Sequence, residues 1–199
     1  MLWVSVPYLV FIMIFAFVPQ PTQAQPDSTK TRTLISLELK KVKIEIRRDE
    51  FNGTVFVSPK KEQKIKTGFW NELNVTVAPA FLSLKTEEGG RYALLVYAYF
   101  ESWRFLYGTI ELLVDGEPIE IKATTEPSRR VLTGIYAASV RESFRVEISQ
   151  DLLFRLGDAL NIKIRLRGEN GTVEGELTPA HIAQFIKMRE VPQLLEAQE

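Results

Sequence analysis

The feature that most constrains the fold is an alternation of apolar and polar residues with a period of two, interrupted at short intervals by turn residues. In residues 161–167 every second residue is Ile or Leu, and three of the residues between them are Lys or Arg. Asp115-Gly116 and residues 168–171 are sequences typical of hairpin turns. About ten such strands predict a mainly β (β-rich α+β) fold, either an antiparallel β-sandwich or a partly open barrel.

Two short helices are predicted near the C-terminus. Ser149 can cap a helix that starts at Gln150, where leucines follow with helical spacing. Thr178-Pro179 is typical of a second helix start, and that helix should end before Pro192. We expect these helices to cover one end of the fold or one sheet edge.

Several strands are predicted between residue 34 and residue 148. Leu37 and Leu39 alternate with charged residues, so the sequence predicts a strand there with a bulge at Lys40-Lys41. Ala78-Pro79 is expected to separate two short strands. Further strands are predicted at 132–140 and 144–148.

Residues 1–24 differ from the rest of the chain. Met1 to Val18 contains no charged side chain, and the apolar stretch Leu9 to Val18 has the length of a signal peptide core. We predict a cleaved export signal; the alternative is a membrane anchor that is retained. Residues 25–32 are predicted as a polar tether, 33–191 as a single β-rich domain and 192–199 as a flexible tail. The expected location is extracytoplasmic, periplasmic or secreted, or anchored to a membrane by the N-terminal segment.

The composition excludes several classes of site. Lys plus Arg and Asp plus Glu number 25 each, so no global charge favours nucleic acid as a partner. The chain has no Cys and one His, which excludes disulfides, thiolate metal sites and multi-His metal sites. No phosphate-binding or dinucleotide-binding motif is present, and we predict no metal, no cofactor and no assigned catalytic residue.

An aromatic stretch follows the strand predicted at Arg91 to Phe100. If one strand continues through it, one face presents a ladder of aromatic side chains, as in sandwich-type modules that bind sugars. The preferred interpretation is the centre of a sheet, whose rim is the first place to look for a ligand. The candidate binding residues are Tyr97, Tyr99, Glu101, Trp103, Arg104 and Tyr107.

Charged residues supply the other candidates. Lys163, Arg165 and Arg167 should form a cationic patch on one sheet face. Glu174 and Glu176 share a face at a separation compatible with glycoside hydrolysis, although solvent-facing glutamates are the more common explanation. His181 is expected to have a surface or capping role. The lysines of residues 60–66 are expected to lie in a solvated loop.

These observations favour an exported, non-enzymatic module that binds or packs against a protein or glycan partner in the cell envelope. The alternatives are a secreted glycan hydrolase with paired carboxylates and a membrane-tethered accessory subunit. Contact with a membrane is expected only through residues 1–24, if they are not cleaved.

Overall fold

Two antiparallel sheets form the body of the protein. The computed structural model describes residues 27–67, 74–84, 90–133 and 138–197, which form eleven strands and four helices. The strands are β1 (Ile44–Arg48), β2 (Val55–Pro59), β3 (Lys66–Thr67), β4 (Asn74–Ser83), β5 (Gly90–Phe100), β6 (Leu106–Val114), β7 (Glu117–Lys122), β8 (Ser128–Thr133), β9 (Ala138–Ile148), β10 (Ile162–Gly168) and β11 (Gly171–Glu176). The helices are α1 (Ser28–Leu39), α2 (Gln150–Asp158), α3 (Pro179–Met188) and α4 (Val191–Glu196).

The strand order confirms the predicted sandwich-like α+β fold. Sheet A has six strands in the order β1-β2-β4-β5-β9-β8, and sheet B has five in the order β3-β11-β10-β6-β7. The described strands do not close into a barrel.

The core lies between the sheets because the inner strands β5, β6 and β10 bury alternate residues. In β5 the even-numbered residues from Tyr92 to Phe100 are buried, and in β10 Ile162, Ile164 and Leu166 are buried. The residues between them point to the outer faces, as the pleat requires. Burying this apolar surface is the main favourable contribution to folding.

Both helices predicted near the C-terminus are present. The Ser149 hydroxyl accepts a hydrogen bond from the N–H of Leu152 at 3.1 Å, which caps α2. Thr178 precedes α3 with Pro179 in its first turn. Helix α3 packs against α1, α2 and β4.

The prediction of a strand around Leu37 and Leu39 is wrong, because residues 28–39 form helix α1. The Asp27 carboxylate caps this helix by accepting from the N–H groups of Thr29 and Lys30, and Ile35 is buried in the core. The cap and the contact with α3 outweigh the period-two pattern. The same helix occupies residues 28–32 of the predicted tether; residues 1–26, including the predicted leader, lie outside the described residues.

Three other boundaries differ from the prediction. Pro79 lies inside β4, at a position that β2 does not pair, so its missing N–H costs no hydrogen bond with that strand. Residues 132–140 are not one strand but the end of β8 and the start of β9. The predicted tail is helical at 192–196, because α4 begins at Val191 and accommodates Pro192 in its first turn.

In the part of the chain that the structure describes, no helix is both long enough and apolar enough to cross a membrane.

Candidate functional site

The aromatic stretch does not form one continuous strand. Tyr97 and Tyr99 lie half-buried on the outer face of sheet A, whereas Tyr107 lies in β6 on the outer face of sheet B and is 62% exposed. Residues 101–105 connect the two sheets. The six predicted binding residues are therefore distributed over two faces and a connection, and they do not form one ladder.

The connection is held by a buried carboxylate on β9. Glu142 is completely buried and accepts hydrogen bonds from the N–H groups of Arg104 at 2.7 Å, Phe105 at 2.9 Å and Leu106 at 2.7 Å. Phe105 has a φ of 51°, a left-handed conformation that is uncommon outside glycine. Successive N–H groups at a turn of this kind converge on one anion. Arg129 lies 3.8 Å away and supplies the opposite charge.

Trp103 and Arg104 are part of the same structural connection. The Arg104 guanidinium donates to the carbonyl of Asn170 at 2.8 Å, and the Asn170 amide donates to the carbonyl of Trp103 at 3.1 Å. Trp103 is half-buried, packs against the core and lies 6.1 Å from the ring of Phe105. These contacts join the connection to the β10–β11 hairpin. Glu101 is exposed and makes no ion pair with any described residue.

The predicted cationic residues do share one face of sheet B. Arg165 lies directly opposite Glu174 of β11 and Glu111 of β6, so all three side chains point to the outer face. Arg165 donates to Glu174 at 2.6 Å and to Glu111 at 3.2 Å. Arg167 binds the same Glu111 through two nitrogens. Two of the three predicted cations are therefore neutralised by glutamates.

Ion pairing shifts the pKa of two of these groups toward the ionised form. The hydrogen bond from Arg167 holds the pKa of Glu111 below its ordinary value. The hydrogen bond to Glu174 raises the pKa of Arg165. The outer face of sheet B therefore carries a charge lattice in which glutamates of β11 and β6 flank Arg165 of β10, although Glu111 also lies opposite Glu120 of β7.

This face contains a groove with a volume of about 810 Å³. Four cations and four carboxylates line it, together with Leu113, Pro118 and neighbouring residues; the charged members are Lys66, Lys163, Arg165, Arg167, Glu111, Glu120, Glu174 and Glu176. Lys163 lies directly opposite Glu176, and Glu176 lies opposite Lys66. Within the described ranges none of these three makes an ion pair, so their charges are available to a partner. The described lining contains no aromatic side chain.

Glu174 and Glu176 share a face, as the pattern predicts, but their surroundings do not resemble a hydrolase site. A glycosidase needs one carboxyl kept protonated by burial while the other stays ionised. The Glu174 side chain is 61% exposed and bound by Arg165. The pair fits a charged contact surface better than a catalytic site.

His181 was expected to have a surface or capping role, and it has the capping role. The side chain is completely buried, and its Nδ1 accepts from the N–H of Thr178 at 3.0 Å. Its Nε2 therefore carries the proton and donates to the carbonyl of Gln63 at 3.0 Å. Burial lowers the pKa of His181 to about 4, so the ring is neutral at physiological pH.

The lysine-rich segment is fixed to α3 by its backbone. Gln184 is also buried, and its amide donates to the carbonyl of Lys61 at 2.7 Å. This hydrogen bond and the one from His181 to Gln63 hold the backbone of the segment before β3 against α3. The lysine side chains at 60, 61, 64 and 66 remain exposed.

Sequence reasoning missed Glu142, Glu111 and Gln184. Glu142 interrupts the buried positions Val140, Phe144 and Val146 at a spacing of two, and that interruption was the available signal. Glu111 and Gln184 carry no comparable signal, because their partners lie in other elements.

The described residues contain no cluster of three or more His, Asp or Glu that could hold a metal ion. No protein-family model matches the chain, and no curated protein matches it.

Proposed function

We propose that the protein is an extracytoplasmic, non-enzymatic binding module that holds a protein partner in the groove on sheet B. The observation that carries this proposal is the groove itself, which contains arginine–glutamate ion pairs and, among the described residues, unpaired charges at Lys66, Lys163 and Glu176. A concave surface with a few convergent polar groups is the usual form of a binding site. The export segment predicted in residues 1–24 supports the location.

The chemistry of the groove favours a protein over a neutral glycan. Neutral sugars are commonly held by aromatic rings, and the described lining of the groove has none. A surface with charges of both signs at fixed positions selects a partner with the complementary pattern and rejects others through like-charge contacts. Leu113 and Pro118 add apolar surface between the charges.

Photocrosslinking in the producing cell tests the proposal. A photoreactive amino acid at Leu113, which is 38% exposed in the groove, should give one discrete protein adduct. The matched control carries the same amino acid at Leu37, which is 51% exposed on α1 outside the groove. We expect the adduct at position 113 only and its loss when Lys163→Glu is added. Identical adduct patterns at the two positions, or an adduct indifferent to Lys163→Glu, would contradict the proposal.

Two further measurements separate the alternatives. Cell fractionation with N-terminal sequencing should recover a chain that begins near Gln25 outside the cytoplasm; recovery of the full-length chain in membranes would favour the tethered subunit. A panel of cell-wall and plant glycans should show no turnover. Turnover that disappears in the Glu174→Gln, Glu176→Gln double variant would establish the hydrolase instead.

A further inference from the structure

The outer face of sheet A carries arginines that make no ion pair with any residue the structure describes. Arg130 of β8 lies directly opposite Arg141 of β9, and Arg141 lies directly opposite Tyr99 of β5. Directly paired residues point to the same face, so the three side chains form one row across the sheet. We call the surface formed by Arg130, Arg141, Arg145, Tyr97 and Tyr99 the Arg–Tyr face.

The arginines of this face differ from those of the groove. Arg165 and Arg167 are bound by glutamates, whereas Arg130, Arg141 and Arg145 make no ion pair with any residue that the structure describes. The Nε of Arg141 is buried and has no hydrogen-bond partner in the described part of the chain. Like charges directly across a sheet are destabilising, and so is an unsatisfied buried donor. An anion bound here would relieve both.

The described acidic residues near this face are already engaged or lie at its border. Glu147 pairs with Arg91 at 3.7 Å. Glu62 accepts from the hydroxyl of Thr76 at 3.2 Å, beside Tyr97 on the far side from Arg130. Glu101 follows the end of β5. Among the described residues, Arg130 and Arg141 therefore have no acidic residue directly opposite them.

The two tyrosines add a surface for stacking. Tyr97 and Tyr99 are two residues apart on β5, so both side chains lie on the same face of the sheet. Their Cα atoms are about 6.5–7 Å apart. Burial raises the pKa of Tyr97, which keeps its hydroxyl a hydrogen-bond donor. Guanidinium groups bind carboxylates with paired hydrogen bonds, and aromatic rings pack against the C–H faces of sugars.

We propose that the Arg–Tyr face binds an anionic polysaccharide whose carboxylates are held by Arg130 and Arg141 and whose sugar rings pack on Tyr97 and Tyr99. The preference for a polysaccharide over a nucleic acid rests on the proposed extracytoplasmic location. The polysaccharide site is separate from the groove on sheet B, so the module would hold a glycan on one sheet and a protein on the other.

Binding of purified chain to four polymers tests this site: polygalacturonate, neutral dextran, polyglutamate and single-stranded DNA. We expect saturable binding of polygalacturonate that weakens with salt, no binding of dextran, and binding of the other two at least about tenfold weaker. The variants Arg130→Gln and Arg141→Gln should each weaken polygalacturonate binding, and together by about tenfold or more. Tyr97→Ala should weaken it without changing the net charge.

The control is Lys30→Gln with Arg32→Gln, which removes two exposed charges from α1 and should leave binding unchanged. Arg130 is exposed, so Arg130→Gln remains informative if changes at the half-buried Arg141 impair folding. Equal loss in the control variant, equal affinity for polyglutamate or DNA, or absence of polygalacturonate binding would each overturn the proposal. These outcomes leave the crosslink at Leu113 unaffected, so failure here is distinguishable from failure of the proposed function.

Discussion

Replacement of Glu142 by Gln tests whether one carboxylate holds the connection between the sheets. Glutamine keeps a carbonyl oxygen that can accept from Arg104 and Phe105, but it turns an NH₂ group toward the N–H of Leu106. Loss of one hydrogen bond to a charged acceptor lowers the free energy of unfolding by about 1.5–3 kcal/mol. Leaving the buried N–H without an acceptor lowers it by about 1–3 kcal/mol. We therefore expect the free energy of unfolding to fall by about 3–5 kcal/mol.

Urea unfolding followed by circular dichroism measures this loss. Glu147→Gln is the matched control, because it makes the same change on the same strand at an exposed carboxylate 3.7 Å from Arg91. Exposed pairs contribute little, so the control should stay within about 1 kcal/mol of the unaltered chain. A loss below about 1 kcal/mol for Glu142→Gln would refute the assignment of Glu142 as the anchor.

Three other predictions concern the pH dependence of stability, a close backbone contact and the charge lattice. Because burial lowers the pKa of His181 to about 4 from 6.5, the unfolded chain binds the proton first as the pH falls, and about 3 kcal/mol of stability should be lost between pH 6.5 and pH 4. Urea unfolding at pH 7 and pH 4 measures this loss of stability. The variant His181→Gln keeps an acceptor for the N–H of Thr178 and should lack the contribution of His181 to the loss. An equal loss in the unaltered chain and in His181→Gln would contradict the assignment. Gly168→Ala should destabilise by about 1–3 kcal/mol, because the new Cβ would overlap the backbone carbonyl oxygen of Arg104, and an unchanged thermal midpoint would count against that contact. Glu111→Gln should change the free energy of unfolding by less than about 1 kcal/mol although it removes two arginine pairs, since the arginines are half-exposed; a loss above about 2 kcal/mol in the same urea assay would show that the lattice is a structural element.

The sequence predicted the structure correctly where contacts between residues close in the sequence determine it. The alternation in residues 161–167 placed Arg165 and Arg167 on one face, and the caps at Ser149 and Thr178 located α2 and α3. In each case the side chain acts on its own backbone or follows the pleat.

The predicted secondary structure was wrong where contacts between residues far apart in the sequence determine it. Leu37 alternates as in a strand, but α1 is helical because Asp27 caps it and Ile35 packs into the core. The aromatic stretch reads as one strand, yet Glu142, which lies 36–38 residues further along the chain, bends residues 101–105 from one sheet to the other.

The sequence predicted which charged residues share a face, but not which of them form ion pairs. The period of two placed Lys163, Arg165 and Arg167 together, and the same rule placed Tyr97 beside Tyr99. Which charges are neutralised depends on strand order, because Glu111 lies more than fifty residues before Arg165 in the chain. Strand order cannot be read from local patterns.

The affinity of the purified chain for the protein crosslinked at Leu113 tests the central claim most directly. Isothermal titration calorimetry should show a single site, weakened by about tenfold or more in Lys163→Glu and unchanged in Lys30→Glu, which reverses an exposed charge on α1. Equal affinities for both variants would contradict the claim that this protein works by contact through the groove on sheet B.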